Sequence, residues 1–151
     1  MAHELLPDDL GEPALKIAGF QLWIHGRQFP GAEDYDDGNW LHVTAHCGAS
    51  GASIWTDGAI VMVTDIESFA KQCEALLRGR AAAAVLDPLE PELRVVLEAP
   101  DSLGHLCARV EITPDHLAQS HSMEFEIDQS YLPGIISECA RILQEHPVRG
   151  R

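Results

Sequence analysis

The sequence predicts an α+β protein in which about six to eight strands form an antiparallel, meander-like β-sheet that packs with two α-helices. Two stretches of the chain alternate apolar and polar residues, as strands do, and each stretch is followed by a segment of helical periodicity. The length of 151 residues, 46% of them hydrophobic, suits one domain with a real core and would be cramped for two. We therefore expect a single domain over residues 1–151, with residues 1–13 as a flexible N-terminal segment.

The first alternating stretch predicts three strand segments. Residues 14–26 alternate with a slip at Ala18-Gly19, which is typical of a β-bulge. Residues 52–65 indicate either a hairpin or one strand interrupted at Asp57-Gly58, because Asp-Gly is a favoured two-residue turn. Between them, residues 39–47 form a strand with two distinct faces. One face has Leu41, Val43, Ala45 and Cys47, and the other has Trp40, His42, Thr44 and His46.

A first helix is predicted over about residues 64–78. Thr64 is a suitable N-cap and Glu67 lies three residues later, the spacing of a capping box. Gly79 supplies a C-terminal stop. The apolar stripe of this helix contains Ile66, Phe69, Ala70, Cys73, Leu76 and Leu77.

The second alternating stretch predicts another antiparallel run followed by a C-terminal helix. That helix covers about residues 130–146 and ends at Pro147, which cannot continue it. Its apolar stripe contains Leu132, Ile135, Ile136, Cys139, Ile142 and Leu143. The strand segments before it are residues 81–87, 92–99, 105–113 and 122–128.

Charge is the most unusual property of the sequence. There are 24 acids against 10 bases, which gives a formal net charge of −14. The acids are grouped, with eight in residues 1–39 and five in residues 111–128. Direct nucleic-acid binding requires clustered Lys and Arg, and the only short basic segment is the tail HPVRGR. The distribution favours a basic partner, and the alternative is that acidity only keeps a small protein soluble.

The sequence predicts a cytoplasmic protein. The N-terminal residues have acids where a signal peptide has cations, and no apolar segment follows. The longest apolar runs are far shorter than the roughly 20 residues of a membrane span. Four cysteines without a C-x-x-C pair are expected to be small buried hydrophobes: Cys47, Cys73, Cys107 and Cys139.

No metal ion or cofactor is predicted. Counted from Asp34 as position 1, the acidic segment lacks the third acid and the final Glu of an EF-hand, because these positions are Gly38 and Ala45. An irregular cation site in the same segment stays open as an alternative. His42 and His46 share a strand face but lie about 13 Å apart at roughly 3.3 Å per residue, too far for one ion.

No catalytic constellation is recognisable, and we expect no enzyme activity. The sequence has no G-x-S-x-G elbow, and the small-residue turn CGASGAS, residues 47–53, lacks the Lys of a phosphate-binding loop. Glu124 and Glu126 alternate on the solvent face of a predicted strand, which suits a surface and not a general acid.

Several short motifs resemble one protein family. GRQFP (residues 26–30) and DYDDGNWL (34–41) look like the G-x-Q-F-P and D-x-x-D-G-N-W-L pattern of WapI-type immunity proteins of bacterial polymorphic toxin systems. LEPEL (89–93) and PVRG (147–150) are similar to that family's later L-E-P-x-L and P-x-R-G landmarks. These landmarks extend over nearly the whole chain.

The resemblance implies a protein that binds and neutralises a cognate toxin, often a nuclease with a basic cleft. A surplus of carboxylates would complement such a cleft and speed the encounter. Trp40 is the candidate aromatic anchor, because interface hot spots favour Trp, unless it closes the core beneath the turn. The candidate carboxylates are Glu33, Asp34, Asp36 and Asp37.

Two other classes of function remain open. A small ligand-binding or enzymatic α+β domain would show a deep pocket with convergent polar side chains. A homodimer would use an apolar edge for self-association, with the acidic face serving solubility.

Overall fold

Two four-stranded antiparallel sheets and two helices make up the computed structural model, which describes residues 10–151. The first sheet contains β1 (Leu15–Ile17), β2 (Phe20–Arg27), β3 (Trp40–Ala49) and β4 (Ala52–Met62), followed by helix α1 (Val63–Leu77). The second contains β5 (Ala83–Leu86), β6 (Leu93–Glu98), β7 (His105–Ile112) and β8 (Ser122–Asp128), followed by α2 (Leu132–Glu145). The predicted α+β class is confirmed, with the strands divided between two sheets.

The order of strands is the same in both halves of the chain. Each sheet is a meander in which sequential strands are neighbours, β1-β2-β3-β4 and β5-β6-β7-β8. A helix follows each meander, and the two helices pack against each other. The topology therefore repeats a ββββα unit, although the sequence shows no internal repeat.

One core joins the two units. The inner faces of both sheets and the apolar stripes of α1 and α2 form a single cluster of buried side chains. Phe20 and Phe69 are its fully buried aromatic residues, and the other members are mostly aliphatic. Cys47, Cys73 and Cys139 are buried as predicted, whereas Cys107 is partly exposed.

The predicted bulge at Ala18-Gly19 is wrong, because these residues form a tight turn. Ile17 pairs with Phe20, so two residues connect β1 to β2, and Ala18 has a φ of 51°. Gly19 is required there, since a Cβ atom would lie 2.1 Å from the Gly48 carbonyl oxygen. The register shift of β2 lies further along, between Ile24 and Gly26.

β4 is one continuous strand, so the hairpin alternative at Asp57-Gly58 is wrong. Asp57 pairs with Thr44 and Gly58 with Val43 in the middle of the β3–β4 ladder. The turn between these strands is Ser50-Gly51, where Gly51 has a φ of 80°. The cross-strand bond from Thr44 to the Asp57 carboxylate favours the ladder over a turn at this position.

The predicted Thr64–Glu67 capping box is also wrong. Met62 is the N-cap, because the chain stays extended through the end of β4 and enters the helix directly. The Asp65 carboxylate accepts a hydrogen bond from the Met62 backbone N–H at 2.8 Å. The predicted stop at Gly79 agrees with its φ of 70°, and α2 ends before Pro147 as expected.

The predicted flexible segment, residues 1–13, is only partly described, because residues 1–9 lie outside the described range. Residues 10–13 run beside β2, where the Trp23 indole N–H donates to the Gly11 carbonyl at 3.0 Å.

Candidate functional site

The acidic loop, residues 28–39, connects β2 to β3 and is ordered by its own hydrogen bonds. The Asp34 carboxylate accepts from the Asp37 backbone N–H at 2.9 Å, and the Gly38 N–H donates to the Asp34 carbonyl at 3.1 Å. The Ala32 N–H donates to the Phe29 carbonyl. The loop therefore has a defined shape before any partner binds.

Asn39 joins the acidic loop to the C-terminal tail, residues 146–151. Its side chain is fully buried. The Asn39 amide nitrogen donates to the Tyr35 carbonyl at 2.6 Å and to the Arg149 carbonyl at 3.0 Å. The Asn39 amide oxygen accepts from the Arg149 backbone N–H at 2.9 Å. We call this junction the loop–tail clasp.

Two arginines complete the clasp by binding backbone carbonyls. Arg149 donates to the Pro30 and Ala32 carbonyls, both at 2.8 Å. Arg27 donates to the Gly38 carbonyl at 2.6 Å and also to the Pro147 carbonyl. Burial, and then the nearby Arg149 charge, lowers the pKa of Arg27. Both guanidinium groups hold the loop without neutralising its carboxylates.

Arg151, the other arginine of the tail, also binds within the molecule. Arg151 forms a two-bond ion pair with Glu67 of α1, at 3.0 and 2.5 Å. The Arg151 hydrogen bond lowers the pKa of Glu67. The basic tail HPVRGR therefore fastens both the acidic loop and α1.

All four predicted carboxylates lie in this loop and are exposed to solvent: Glu33, Asp34, Asp36 and Asp37. Within residues 10–151, the carboxylates of Glu33, Asp36 and Asp37 have no hydrogen-bond or ion-pair partner. Trp40 starts β3 at the end of the loop and is partly exposed. Trp40 pairs with Met62 on the face of the sheet opposite Leu41, so it does not close the core.

No described group of three His, Cys, Asp or Glu side chains is arranged to hold a metal ion. The structure therefore does not support the irregular cation site in the acidic loop. His42 Nε2 donates to the Asp57 carboxylate at 3.0 Å, whereas His46 bonds to Gln21 and Ser53. The two histidines thus have separate partners, as their spacing predicts.

Sequence reasoning missed a polar network on the first sheet. The Thr44 hydroxyl donates to the Asp57 carboxylate at 2.5 Å and lies 2.7 Å from His25 Nε2. His42 contacts the same carboxylate. Residues from three neighbouring strands meet here, and only the strand pairing brings them together. The only signal of this network in the sequence was a His or an Asp in each of the three predicted strand segments.

This network differs from a nucleophilic triad. In a triad the carboxylate orients the imidazole that activates the hydroxyl. Here the Asp57 carboxylate accepts directly from the Thr44 hydroxyl, so no imidazole lies between the carboxylate and the hydroxyl proton. A groove of about 720 Å³ elsewhere follows β7 and β8, but its acids, Glu124, Glu126 and Asp128, lie on exposed strand positions.

The fold and the loop define a small, acidic α+β protein. Two of its distinctive sequence motifs contact each other and have a structural role. DYDDGNWL and PVRG meet in the loop–tail clasp, whereas LEPEL leads into β6, which begins at Leu93. The model of the Immunity protein WapI-like family matches residues 14–147, and the chain belongs to that family. No curated protein and no solved structure is significantly similar to the chain.

Family membership supports an immunity role and therefore a toxin partner. Among the helices of the described residues, none is both long and apolar enough to span a bilayer.

Proposed function

We propose that this protein is a cytoplasmic, non-enzymatic immunity protein that neutralises a cognate bacterial toxin by presenting the acidic loop to a basic cleft of that toxin. A nuclease is the toxin class that best fits an acidic inhibitor, because its cleft binds a polyanion. The inhibitor would occupy the cleft sterically and exclude the substrate electrostatically.

One observation carries the proposal. The arginines of the clasp bind loop carbonyls, so the loop is held in place while its carboxylates stay exposed and unneutralised. A preordered loop loses less conformational entropy on binding than a mobile one. Because the net charge is −14, long-range attraction would also speed association with a basic partner at low salt.

The test first identifies a toxin gene beside the gene of this chain and then uses its toxin domain in a catalytically inactive form. We expect the double variant Glu33→Lys/Asp36→Lys to bind about tenfold more weakly or worse at low salt, and to lose part of the salt dependence. Asp34 is left unchanged because its carboxylate bonds to the Asp37 N–H.

The matched control reverses two exposed acids on β8, Glu124→Lys/Glu126→Lys, which changes the net charge equally on another element. A specific role of the loop predicts a clearly smaller loss for the control. Equal losses would assign the effect to net charge alone. Unchanged affinity of the loop variant, with unchanged stability, would leave the loop as architecture.

A further inference from the structure

All three tryptophans of the chain lie on the outer face of the first sheet. This outer face is the side of β1–β4 opposite the core. Trp23 is on β2, Trp40 on β3 and Trp55 on β4, whereas Leu22, Leu41 and their inner-face neighbours fill the core. Tryptophan carries a large apolar area and is enriched at interface hot spots. Trp23 is only 4% exposed and donates to the Gly11 carbonyl, whereas Trp40 and Trp55 are partly exposed. The partly exposed rings of Trp40 and Trp55 therefore indicate a contact surface.

The aromatic groups on this face are packed in fixed positions. Trp55 lies over His46, with ring centroids 4.2 Å apart, and is stacked on Trp23 at 5.9 Å. Gln21 and Ser53 bond to the two ring nitrogens of His46. Such support lowers the entropy lost when a partner binds.

Beside the aromatic rings, Asp57 provides an accessible negative charge. Its side chain is 55% exposed, and His25 and His42 flank it, at 3.9 and 3.0 Å from the carboxylate. Burial alone would raise the pKa of Asp57, but hydrogen bonds from Thr44 and His42 and the charges of both histidines lower it. The carboxylate is therefore anionic at neutral pH.

The strands of the first sheet contain two fixed positive charges, Lys16 and Arg27, and Arg27 is bound to the Gly38 and Pro147 carbonyls. His25 faces Asp57 from β2 and His42 from β3, while Lys16 lies on β1, at the opposite edge of the sheet. Three strand spacings place that lysine roughly 14 Å away. At the other end of β3, Trp40 connects this face to the acidic loop. The outer face and the loop thus form one continuous surface.

We propose that the outer face of the first sheet is the principal docking surface for the cationic toxin partner, with Asp57 receiving an arginine of that partner beside the Trp55 ring. A guanidinium group pairs with a carboxylate and stacks on an aromatic face at the same time. This inference rests on the proposed function. It adds contacts of the sheet to those that the acidic loop makes in the basic cleft.

The test measures association and dissociation rates of the inactive toxin domain with Asp57→Asn, Trp55→Ala and Trp55→Phe. We expect Asp57→Asn to raise the dissociation rate about tenfold, Trp55→Ala to raise it more, and Trp55→Phe to retain part of the affinity. Glu124→Gln on β8 is the control, and its dissociation rate should equal that of the wild type. Thermal unfolding of each variant confirms that it is folded, and Trp55→Phe keeps the test valid if Trp55→Ala does not fold.

The outcomes distinguish a failure of the proposed immunity function from a failure of the proposed docking surface. If the wild-type protein does not bind the toxin domain, the proposed function fails and this inference fails with it. If the wild type binds, loop variants weaken binding and folded face variants leave the dissociation rate unchanged, only this inference is overturned. If the wild type is a dimer that Trp55→Ala or Trp55→Phe converts to a monomer with unchanged toxin affinity, the face is a self-association surface and the inference is likewise overturned.

Discussion

Asn39 and Arg149, which are 110 residues apart, are joined by a two-way amide pairing: the Asn39 side chain accepts from the Arg149 N–H and donates to the Arg149 carbonyl. This pairing connects the loop between β2 and β3 to the C-terminal tail. The motifs DYDDGNWL and PVRG, on which the family resemblance depends, contain these two residues. The structure shows that the two motifs bind each other.

Replacing Asn39 should destabilise the protein strongly. Asn39→Ala leaves the Arg149 N–H and the Tyr35 carbonyl without partners in a buried site, at a cost of about 2–4 kcal/mol. Asn39→Asp keeps the size but places a carboxylate oxygen near two carbonyls, so it should also destabilise. Urea unfolding measures both changes. Midpoints equal to that of the wild type would show that the clasp contributes little to stability.

The two tail arginines should differ in their effect on stability. Arg149→Ala removes two hydrogen bonds to loop carbonyls and should lower the free energy of unfolding by about 1–3 kcal/mol. Arg151→Ala removes a surface ion pair, which contributes less than about 1 kcal/mol. Thermal or chemical unfolding of the pair of variants provides the comparison. Equal effects would argue against the carbonyl contacts as the stabilising element.

Gly19 should not tolerate a side chain. In Gly19→Ala the new Cβ would lie 2.1 Å from the Gly48 carbonyl oxygen on β3 and 2.8 Å from the Phe125 ring on β8, so the β1–β2 turn or one of these strands must shift. We expect a loss of several kcal/mol, on the order of other severe steric changes. Gly31→Ala is the control, because nothing lies within 4 Å of its Cβ position. A Gly19→Ala variant as stable as the control would disprove the close approach.

The Asp57 network should make stability depend on pH in the acidic range. The pKa of Asp57 is lowered in the folded state, so its contribution is present above the unfolded pKa, about 4, and is lost as pH falls through the folded pKa. Asp57→Asn removes this contribution, which is about 0.5–1 kcal/mol because the group is largely exposed. The stability difference between the variant and the wild type should be present at neutral pH and shrink below about pH 4. A difference that does not change with pH would exclude the carboxylate charge as its source.

The cysteines should be nearly unreactive in the folded protein. Burial raises the pKa of Cys47 to about 11 and the pKa of Cys73 and Cys139 to about 12, so few thiolates exist at pH 8. Burial raises the pKa of Cys107 too, but this residue is partly exposed and should react first with a disulfide reagent. Cys107→Ser should abolish the native-state labelling, and unfolding should restore reaction of the remaining thiols. Rapid labelling of the folded Cys107→Ser variant would contradict the burial of the other three.

Local patterns predicted most of the elements of this fold. Alternation identified the faces of β3, helical periodicity identified α1 and α2, and both helix stops agree with Gly79 and Pro147. These features depend on residues a few positions apart, where the period of the backbone decides which side chains are buried. The candidate carboxylates were also visible, because four acids within one loop need no tertiary information, whereas their role in binding stays a proposal.

Contacts between residues distant in sequence decided the features that local patterns did not predict. Ala18-Gly19 is a turn because β2 must fold back on β1, and Asp57-Gly58 is not a turn because Thr44 and Val43 pair with it across the ladder. The division into two sheets, the loop–tail clasp and the His–Asp network all join residues that are distant in sequence. Such contacts form only when the core brings the strands and the tail together, so no periodicity along the chain could reveal them.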